Sequence, residues 1–409
     1  MFSYHRSKFR TLLMLCLTTC ICSLAFANPV IPIPTQPQRP TYTPAAPVLQ
    51  GKSYILMDGT SGKVIAEQNS KERMAPASLT KLMSMYIISN AIKSGQIKSD
   101  DKVLISKKAW QTEGSRMFVK VGTEVPVKEL LQGIIVVSGN DATVAMAEHL
   151  AGTEEAFAEL MNQQAKFLGM NNSHFTGSTG LPEPDHYTTA YDLALLSKAY
   201  IQNFPEEYVI NSEKFYTYNN IKQSNRNRLL WRYQNADGLK TGHTNDAGYC
   251  LVASAKKDGM RLISVVLGEP SDSARTEDSI RLLNYGFRFF ETRKIYAANA
   301  PVVKTRVWKG ASTQVALGVS DDMYATIPIG QYKKLKAAIT IQNPLQAPLK
   351  KGEIYGTIKV VLNNQVIASK PLVALEDNPT GGLWRRASDA IRFNFNKYLS
   401  SNDTKANTG

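Results

Sequence analysis

The chain has 409 residues, 43% of them hydrophobic and 20% charged, with 48 Lys and Arg against 34 Asp and Glu for a net charge of +14. That balance excludes a disordered, low-hydrophobicity chain, and the length allows two or three domains of ordinary size. The 19 prolines and 26 glycines show no collagen-like excess.

The first element in chain order is a targeting segment. Arg6, Lys8 and Arg10 stand without an acid, and an uncharged apolar run follows from Thr11 to Phe26. The run falls short of the ~20 residues that a membrane span needs. It ends Ala25-Phe26-Ala27, the small-x-small form of a signal-peptidase site, so residues 1–27 are expected to leave as an export signal. An uncleaved anchor is the bland alternative; a lipoprotein through Cys20 fits less well, because that cysteine lies mid-run. Cys16, Cys20 and Cys22 leave with the signal. Cys250 then has no intrachain partner and reads as a buried, inert thiol in an apolar strand. Residues 28–50 carry seven prolines and read as an extended spacer.

Ser53 to Asp58 and Lys63 to Glu67 flank Gly59-Thr60-Ser61-Gly62, a hairpin signal. Helical periodicity follows over Leu79–Ile92, Glu129–Val137, Ala142–Ala151, Glu154–Leu168 and Thr189–Ile201. Strands return at Tyr249–Ala255 and Arg261–Leu267, and a helix from Thr276 to Phe290 closes the region. Strands at both ends with helices between them predict an α+β domain over residues 51–293, its sheet built from distant segments. Beyond it, short alternating runs punctuated by Gly, Pro and Asn predict a small all-β sandwich over residues 294–377.

The tail, residues 378–409, reads differently. On a helical wheel Leu383, Trp384, Ala387, Ile391, Phe395, Tyr398 and Leu399 share one arc. Arg385, Arg386, Asp389, Arg392, Asn396 and Lys397 take the other side, while Phe393 and Asn394 break the pattern. This is the pattern of an amphipathic helix lying in a membrane surface, its basic residues drawn to anionic lipid. The bland alternative is a helix packed back on the sandwich.

Three short motifs carry chemistry: Ser78-Leu79-Thr80-Lys81, Ser138-Gly139-Asn140 and Lys240-Thr241-Gly242, the last followed by His243. Ser78 and Lys81, three apart, share one face of a helix expected to start at Ser78. Serine is a weak nucleophile until a base takes its proton, and a lysine serves when burial or a nearby cation, here Lys240, lowers its pKa. Ser138 can relay a proton to a leaving amine, and Asn140 can hold a substrate amide. Lys240, Thr241 and Gly242 on a strand edge offer a charge, a hydroxyl and close backbone approach to a carboxylate. Two further Ser-x-x-Lys matches, Ser99–Lys102 and Ser254–Lys257, start no apolar-faced helix. His149, His174 and His186 have no metal spacing, Asp192 reads as a helix residue, and Gly177-Ser178-Thr179-Gly180 lacks the Lys-Ser/Thr of a phosphate loop. No metal, cofactor or nucleic-acid partner is expected.

The ordered trio resembles the penicillin-recognising serine enzymes. Arg73 to Lys81, Val137 to Ala142, Gly238 to Thr244 and Tyr285 to Thr292 extend the likeness to the low-molecular-mass D-alanyl-D-alanine carboxypeptidases, the group around penicillin-binding protein five. The resemblance implies a serine β-lactamase/DD-peptidase-like catalytic domain, an antiparallel sheet flanked by helices, with a β-sandwich domain and an anchoring helix. It implies Ser78 as the acylated nucleophile, Lys81 as its base, and Ser138 with Lys240 passing the proton to departing D-alanine. Backbone N–H groups of Ser78 and His243 would form the oxyanion hole, and Ser115, Arg226 and Arg275 would contact the substrate end. The expected partners are peptidoglycan pentapeptide, β-lactam inhibitors and the inner-membrane surface on the periplasmic side. A DD-endopeptidase is the nearest alternative. A serine β-lactamase fits less well: Glu183 lacks the expected context, and Ser-Gly-Asn stands where Ser-Asp-Asn is usual. A wall-binding protein without catalysis would have no use for a base beside a serine. Oligomeric state is open.

Overall fold

The structure, a computed structural model, describes residues 43–392. The expected signal segment, most of the Pro-rich spacer and tail residues 393–409 lie outside the described residues.

The catalytic region is built on one antiparallel sheet. Its strands are β1 (Ser53–Asp58), β2 (Val64–Gln68), β3 (Ala236–Thr244), β4 (Gly248–Lys257) and β5 (Met260–Glu269), in the order β2-β1-β5-β4-β3. The N-terminal hairpin therefore pairs with a strand about two hundred residues away, as the distant-segment reading required: Ile55 stands opposite Val265 and Met57 opposite Ile263. Side chains alternate across the sheet. Ile55, Met57, Val252, Ile263 and Val265 enter one core; Leu56, Leu251, Ala253, Leu262 and Val266 enter another on the opposite face. Both faces are covered, which is why these strands read as nearly unbroken apolar runs.

One face packs under the helix that closes the region, and the other under the helical middle. The middle contains α1 (Lys81–Lys93), α2 (Val127–Val136), α3 (Asn140–Ala151), α4 (Glu154–Phe167) and α5 (Ala190–Asn203); the closing helix is α6 (Asp272–Phe289). Hydroxyl N-caps set three of the starts. Thr153 accepts from Ala156 N, Thr189 from Asp192 N and Ser271 from Ala274 N. The Ser271 cap places four residues, Asp272 to Arg275, in α6 ahead of the expected start at Thr276, because that first turn is polar and carries no periodic signal.

The last part of the expected spacer is corrected. Residues 43–50 have no regular secondary structure, yet they lie on the catalytic body. Leu49 is buried, Tyr285 Oη donates to Pro44 O at 2.9 Å, and Gln50 N–H donates to Asp278 Oδ2 at 2.8 Å. Leu49 and Ala46 join the apolar surface of α6, which a Pro-rich reading does not anticipate.

Strand β6 (Phe290–Tyr296) follows α6 directly and pairs with β9 (Met323–Pro328). A six-stranded sheet faces it: β7 (Pro301–Trp308), β8 (Gln314–Gly318), β10 (Lys336–Ile341), β11 (Leu345–Gln346), β12 (Ile354–Leu362) and β13 (Gln365–Ala374), in the order β10-β12-β13-β8-β7-β11. Leu317, Met323, Ala325, Ile358 and Leu372 share its core, so this region is the expected all-β sandwich. Thr292 Oγ1 donates to Asp58 Oδ2 at 2.7 Å, tying β6 to β1. Residues 383–392 are helical.

Candidate active site

Ser78 lies on a single 3-10 turn, Ala77–Thr80, and α1 begins at Lys81. The expectation of an α-helix starting at Ser78 is corrected. The 3-10 turn has three residues per turn, so it eclipses positions 78 and 81 and stacks the serine over the lysine more directly than an α-helix would. Ala77 enters the turn at φ +47°, an uncommon conformation for alanine, and tertiary contacts hold it. Chief among these is Gly180: a Cβ there would lie 1.8 Å from Ala77 O, so only glycine lets the 177–180 loop close on the turn.

Lys81 is fully buried. Its Nζ lies 2.6 Å from Asn140 Oδ1, 2.7 Å from Thr179 O and 3.1 Å from Ser78 Oγ. Burial pulls its pKa down to about 7, against the opposing pull of Asp141 and Glu154. A neutral amine has two hydrogens and one lone pair. Asn140 Oδ1 and Thr179 O can only accept, so they take the two hydrogens. The lone pair is left for the Ser78 hydroxyl, which is the arrangement of a general base.

Ser138 and Lys240 form the second pair. Lys240 Nζ donates to Ser138 Oγ at 2.8 Å and to Thr241 O at 3.1 Å. Ser138 stands at φ +62°, a strained conformation that sets it just ahead of α3. Lys240 is buried, and its pKa is driven well below the lysine range by burial first, then by Lys81, Arg275 and Arg226. Of the two expected causes of the Lys81 shift, burial or a neighbouring cation, burial is the larger.

Strand β3 is the sheet edge beside the serine, and it brings Lys240, Thr241, Gly242 and His243 into the site. A Cβ at Gly242 would lie 3.0 Å from Pro76 O and 3.2 Å from Ala77 Cβ. The expected close backbone approach is therefore between β3 and the Ser78 turn. His243 is exposed and stacks on Tyr249 with centroids 4.0 Å apart. Ser115 is half-buried, and its carbonyl accepts from Asn140 N at 2.7 Å.

Two expectations change in kind. Asn140 is engaged at both ends: Oδ1 holds Lys81, and Nδ2 donates to Glu113 O at 2.5 Å. Only its second amide hydrogen is left for a substrate. Arg275 is buried, and its Nη1 donates to Gly242 O at 2.9 Å and Cys250 O at 3.2 Å, while Nη2 pairs with Asp272. It braces β3 from behind and is not placed to grip a carboxylate, because α6 begins early enough to bury it. Arg226 is exposed beside a hairpin, Phe215–Tyr218 with Ile221–Ser224, and touches Gln223 Oε1 at 3.4 Å. It remains available to an anionic ligand. Cys250 is buried as expected, and burial pushes its thiol up to about 11.

Sequence reasoning missed three supporting residues. Glu154 Oε1 accepts from Ser178 N at 3.1 Å and Ser178 Oγ at 2.7 Å, which aims the next carbonyl, Thr179 O, at Lys81. Asp141 accepts from the backbone N–H groups of Met117 and Phe118 at 2.8 Å and of Val119 at 3.2 Å, fastening the 115–119 segment to α3. His186 is buried. Its Nδ1 accepts from Thr176 N at 3.0 Å, so the ring proton sits on Nε2 and is donated to Thr80 Oγ1 at 2.8 Å. Burial, with His174 nearby, holds the ring neutral with a pKa near about 4. Asp141 was legible only as an acid at a helix start; the other two had no local signal. Beside Ser78 opens a cavity of about 370 Å³, lined by Pro76, Ala77, Gly180, Glu183, Thr244 and Asp246.

Known proteins are similar to this chain over both of its regions. The family described as D-alanyl-D-alanine carboxypeptidase matches residues 40–271, and the C-terminal domain of penicillin-binding protein 5 matches residues 290–380. D-alanyl-D-alanine carboxypeptidase DacC of Escherichia coli K12 is 47% identical over 367 residues, covering 88% of this chain and 92% of that protein. The crystal structure of penicillin binding protein 5 from Haemophilus influenzae superposes with a TM-score of 0.79 at 43% identity, over 82% of this chain and 99% of that one. Penicillin-binding protein D2 of Listeria monocytogenes, solved in an ampicillin-bound form, matches with a TM-score of 0.55 at 30% identity, over 60% of this chain and all of that one. With both of its regions matched, this chain belongs to the D-alanyl-D-alanine carboxypeptidase family of penicillin-binding serine peptidases.

Proposed function

We propose that this chain removes the terminal D-alanine from peptidoglycan stem pentapeptides by acyl transfer through Ser78. The observation that carries the proposal is the Lys81 amine, whose two hydrogens are claimed by carbonyl oxygens and whose lone pair is left to Ser78. As Ser78 Oγ bonds to the carbonyl carbon of the penultimate D-alanine, its proton passes to Lys81. Backbone N–H groups of Ser78 and His243 receive the developing oxyanion. The carbon–nitrogen bond then breaks, and the departing amine takes its proton from Ser138, backed by Lys240. The proton held by Lys81 is handed on to restore Ser138, so Lys81 is neutral again when water attacks the ester; it takes the water's proton and returns it to Ser78 Oγ as the ester bond breaks. Arg226 and Thr241 receive the substrate carboxylate. A β-lactam presents a strained amide at the same place, and its ring opening leaves Ser78 acylated.

The test is D-alanine release from a disaccharide pentapeptide by the purified protein, with Ser78→Ala beside it. Release by the wild type alone supports both the reaction and the nucleophile. Labelling by penicillin without release, together with cleavage of cross-linked wall, would favour an endopeptidase; rapid turnover of penicillin itself would favour a β-lactamase.

The chain acts, on this reading, at the periplasmic face of the inner membrane, exported by residues 1–27 and held by its tail. Leu383, Trp384 and Ile391 support the second part, being 81%, 91% and 72% exposed. Among the described residues no helix is long and apolar enough to cross a membrane, so the attachment proposed is to its surface. Truncation after Asp377 should release the protein from vesicles; continued sedimentation with them would defeat the tail reading.

A further inference from the structure

The tail helix meets the β-sandwich through its polar side. Asp389, expected on the solvent-facing polar arc, is buried. Its carboxylate accepts from Lys309 N–H at 2.8 Å and pairs with Arg306 at 3.2 Å. Gly381 N–H donates to Lys309 O at 2.8 Å, fixing the approach of the chain. At ~100° per residue, Arg385 and Arg392 lie on the same side of the helix as Asp389, while Leu383 and Ile391 lie on the other and Trp384 stands at the rim of the cleft. The helix is therefore docked by its charged side, and its apolar face is left outward.

Between helix and strands lies a cleft of about 700 Å³, lined by Arg306, Gln314, Trp384, Arg385, Ser388 and Arg392. It holds three guanidinium groups and one carboxylate, Asp389, which Arg306 already balances. Arg385 Nη2 is buried and has no hydrogen-bond partner among the described residues. A buried charged donor without an acceptor is costly, and it marks a place where an acceptor belongs. Guanidinium forks match the paired oxygens of a phosphate.

We infer that this cleft binds the phosphodiester headgroup of an anionic phospholipid. The inference rests on the proposal that the helix lies in a membrane surface, and the geometry suits that placement. An interfacial helix sinks its apolar face to the boundary of the acyl chains. Lipid phosphates then stand level with its opposite side, where the arginine cleft opens. The headgroup accepts from Arg385 and Arg392, and the Asp389–Arg306 pair keeps the helix turned so that both reach it.

The experiment is sedimentation of the full chain with vesicles of phosphatidylcholine alone and with added phosphatidylglycerol, comparing Arg385→Gln with Arg386→Gln. Each variant removes one charge from the tail helix, but Arg386 lies outside the cleft. Diffuse attraction predicts equal losses, roughly fivefold per charge. A headgroup site predicts a loss on anionic vesicles of roughly tenfold or more for Arg385→Gln, a clearly smaller loss for Arg386→Gln, and no change on neutral vesicles. Equal losses would overturn the site. Binding to both vesicle types without preference would overturn the site but leave the surface helix standing. Binding to neither would overturn both. Displacement by inorganic phosphate but not by chloride at equal ionic strength, with no preference for anionic vesicles, would assign a free-phosphate site and overturn the lipid.

Discussion

Replacing Asn140 with aspartate places a carboxylate where Oδ1 now lies 2.6 Å from Lys81 Nζ. The wild-type lysine titrates at about 7 against 10.5 for an exposed one. That gap corresponds to about 5 kcal/mol of differential stabilisation of the neutral amine, at roughly 1.4 kcal/mol per pH unit. The sign is that of a depressed lysine: the neutral, basic form dominates above pH 7 and is lost as pH falls through it. Acylation of the wild type should accordingly rise through a midpoint near 7, with half the molecules competent there. An adjacent opposite charge raises a lysine pKa by ~1–3 units. The midpoint for Asn140→Asp should move to ~8–10, and at pH 7 the competent fraction should fall roughly 5- to 500-fold, recovering toward high pH. Asn140→Ala removes the acceptor without adding charge, so its midpoint should not rise. The assay is the rate of covalent labelling by a fluorescent penicillin across about pH 5.5 to about pH 10. An Asn140→Asp profile that keeps the wild-type midpoint and loses only plateau height would refute the role given to Lys81.

The two arginines should separate by readout. Arg226→Ala should lower kcat/KM for the peptide by roughly 10- to 100-fold with Tm unchanged, because an exposed charge-assisted contact is lost. Arg275→Ala strips the buried Gly242 and Cys250 carbonyls of a donor and should cost ~2–4 kcal/mol in denaturant titration; an unchanged midpoint would contradict its bracing role. Gly242→Ala drives a methyl into Pro76 O and should slow acylation roughly 10- to 100-fold while far-ultraviolet circular dichroism is preserved; wild-type labelling would show that the Ser78 turn yields freely. Glu269, buried against Asp278, has its carboxyl pushed up to about 8 from 4.5, chiefly by burial. Its folded-state contribution is fully present below pH 4.5 and is lost as pH rises toward 8. The Tm advantage of Glu269→Gln over wild type should therefore grow across that window and level off above it; a difference that is flat with pH would contradict a carboxyl kept protonated by burial.

The candidate catalytic groups were legible because they depend on residue types at short spacing. Ser78 with Lys81, Ser138 with Asn140, and Lys240 with Gly242 each sit within one turn or one strand end, where local geometry forces them together. The sandwich was legible for a similar reason, since alternation and turn residues are local signals, whereas the antiparallel arrangement of the catalytic sheet was implied by the family resemblance. The roles of Asn140 and Arg275 were not. Asn140 turns from substrate to Lys81 only because the loop ending at Gly180 packs on the Ser78 turn, and Arg275 is buried only because α6 starts at a polar cap. Glu154 and His186 act on residues well separated in the chain, through Ser178 and Thr80 respectively.

By itself, the sequence determined which groups could react, which segments are apolar on one side, and the periodicity of each element. Tertiary structure alone decided which groups titrate near neutrality and which way each charge faces. Burial sets the first: the Lys81 amine is drawn toward its neutral form by desolvation from segments far from it in the chain, a quantity no spacing encodes. Docking sets the second. Asp389 reads as one more polar residue on a helical wheel, yet its bond to Lys309 N–H turns the helix so that Arg385 and Arg392 border the sandwich cleft while Leu383 and Ile391 face away.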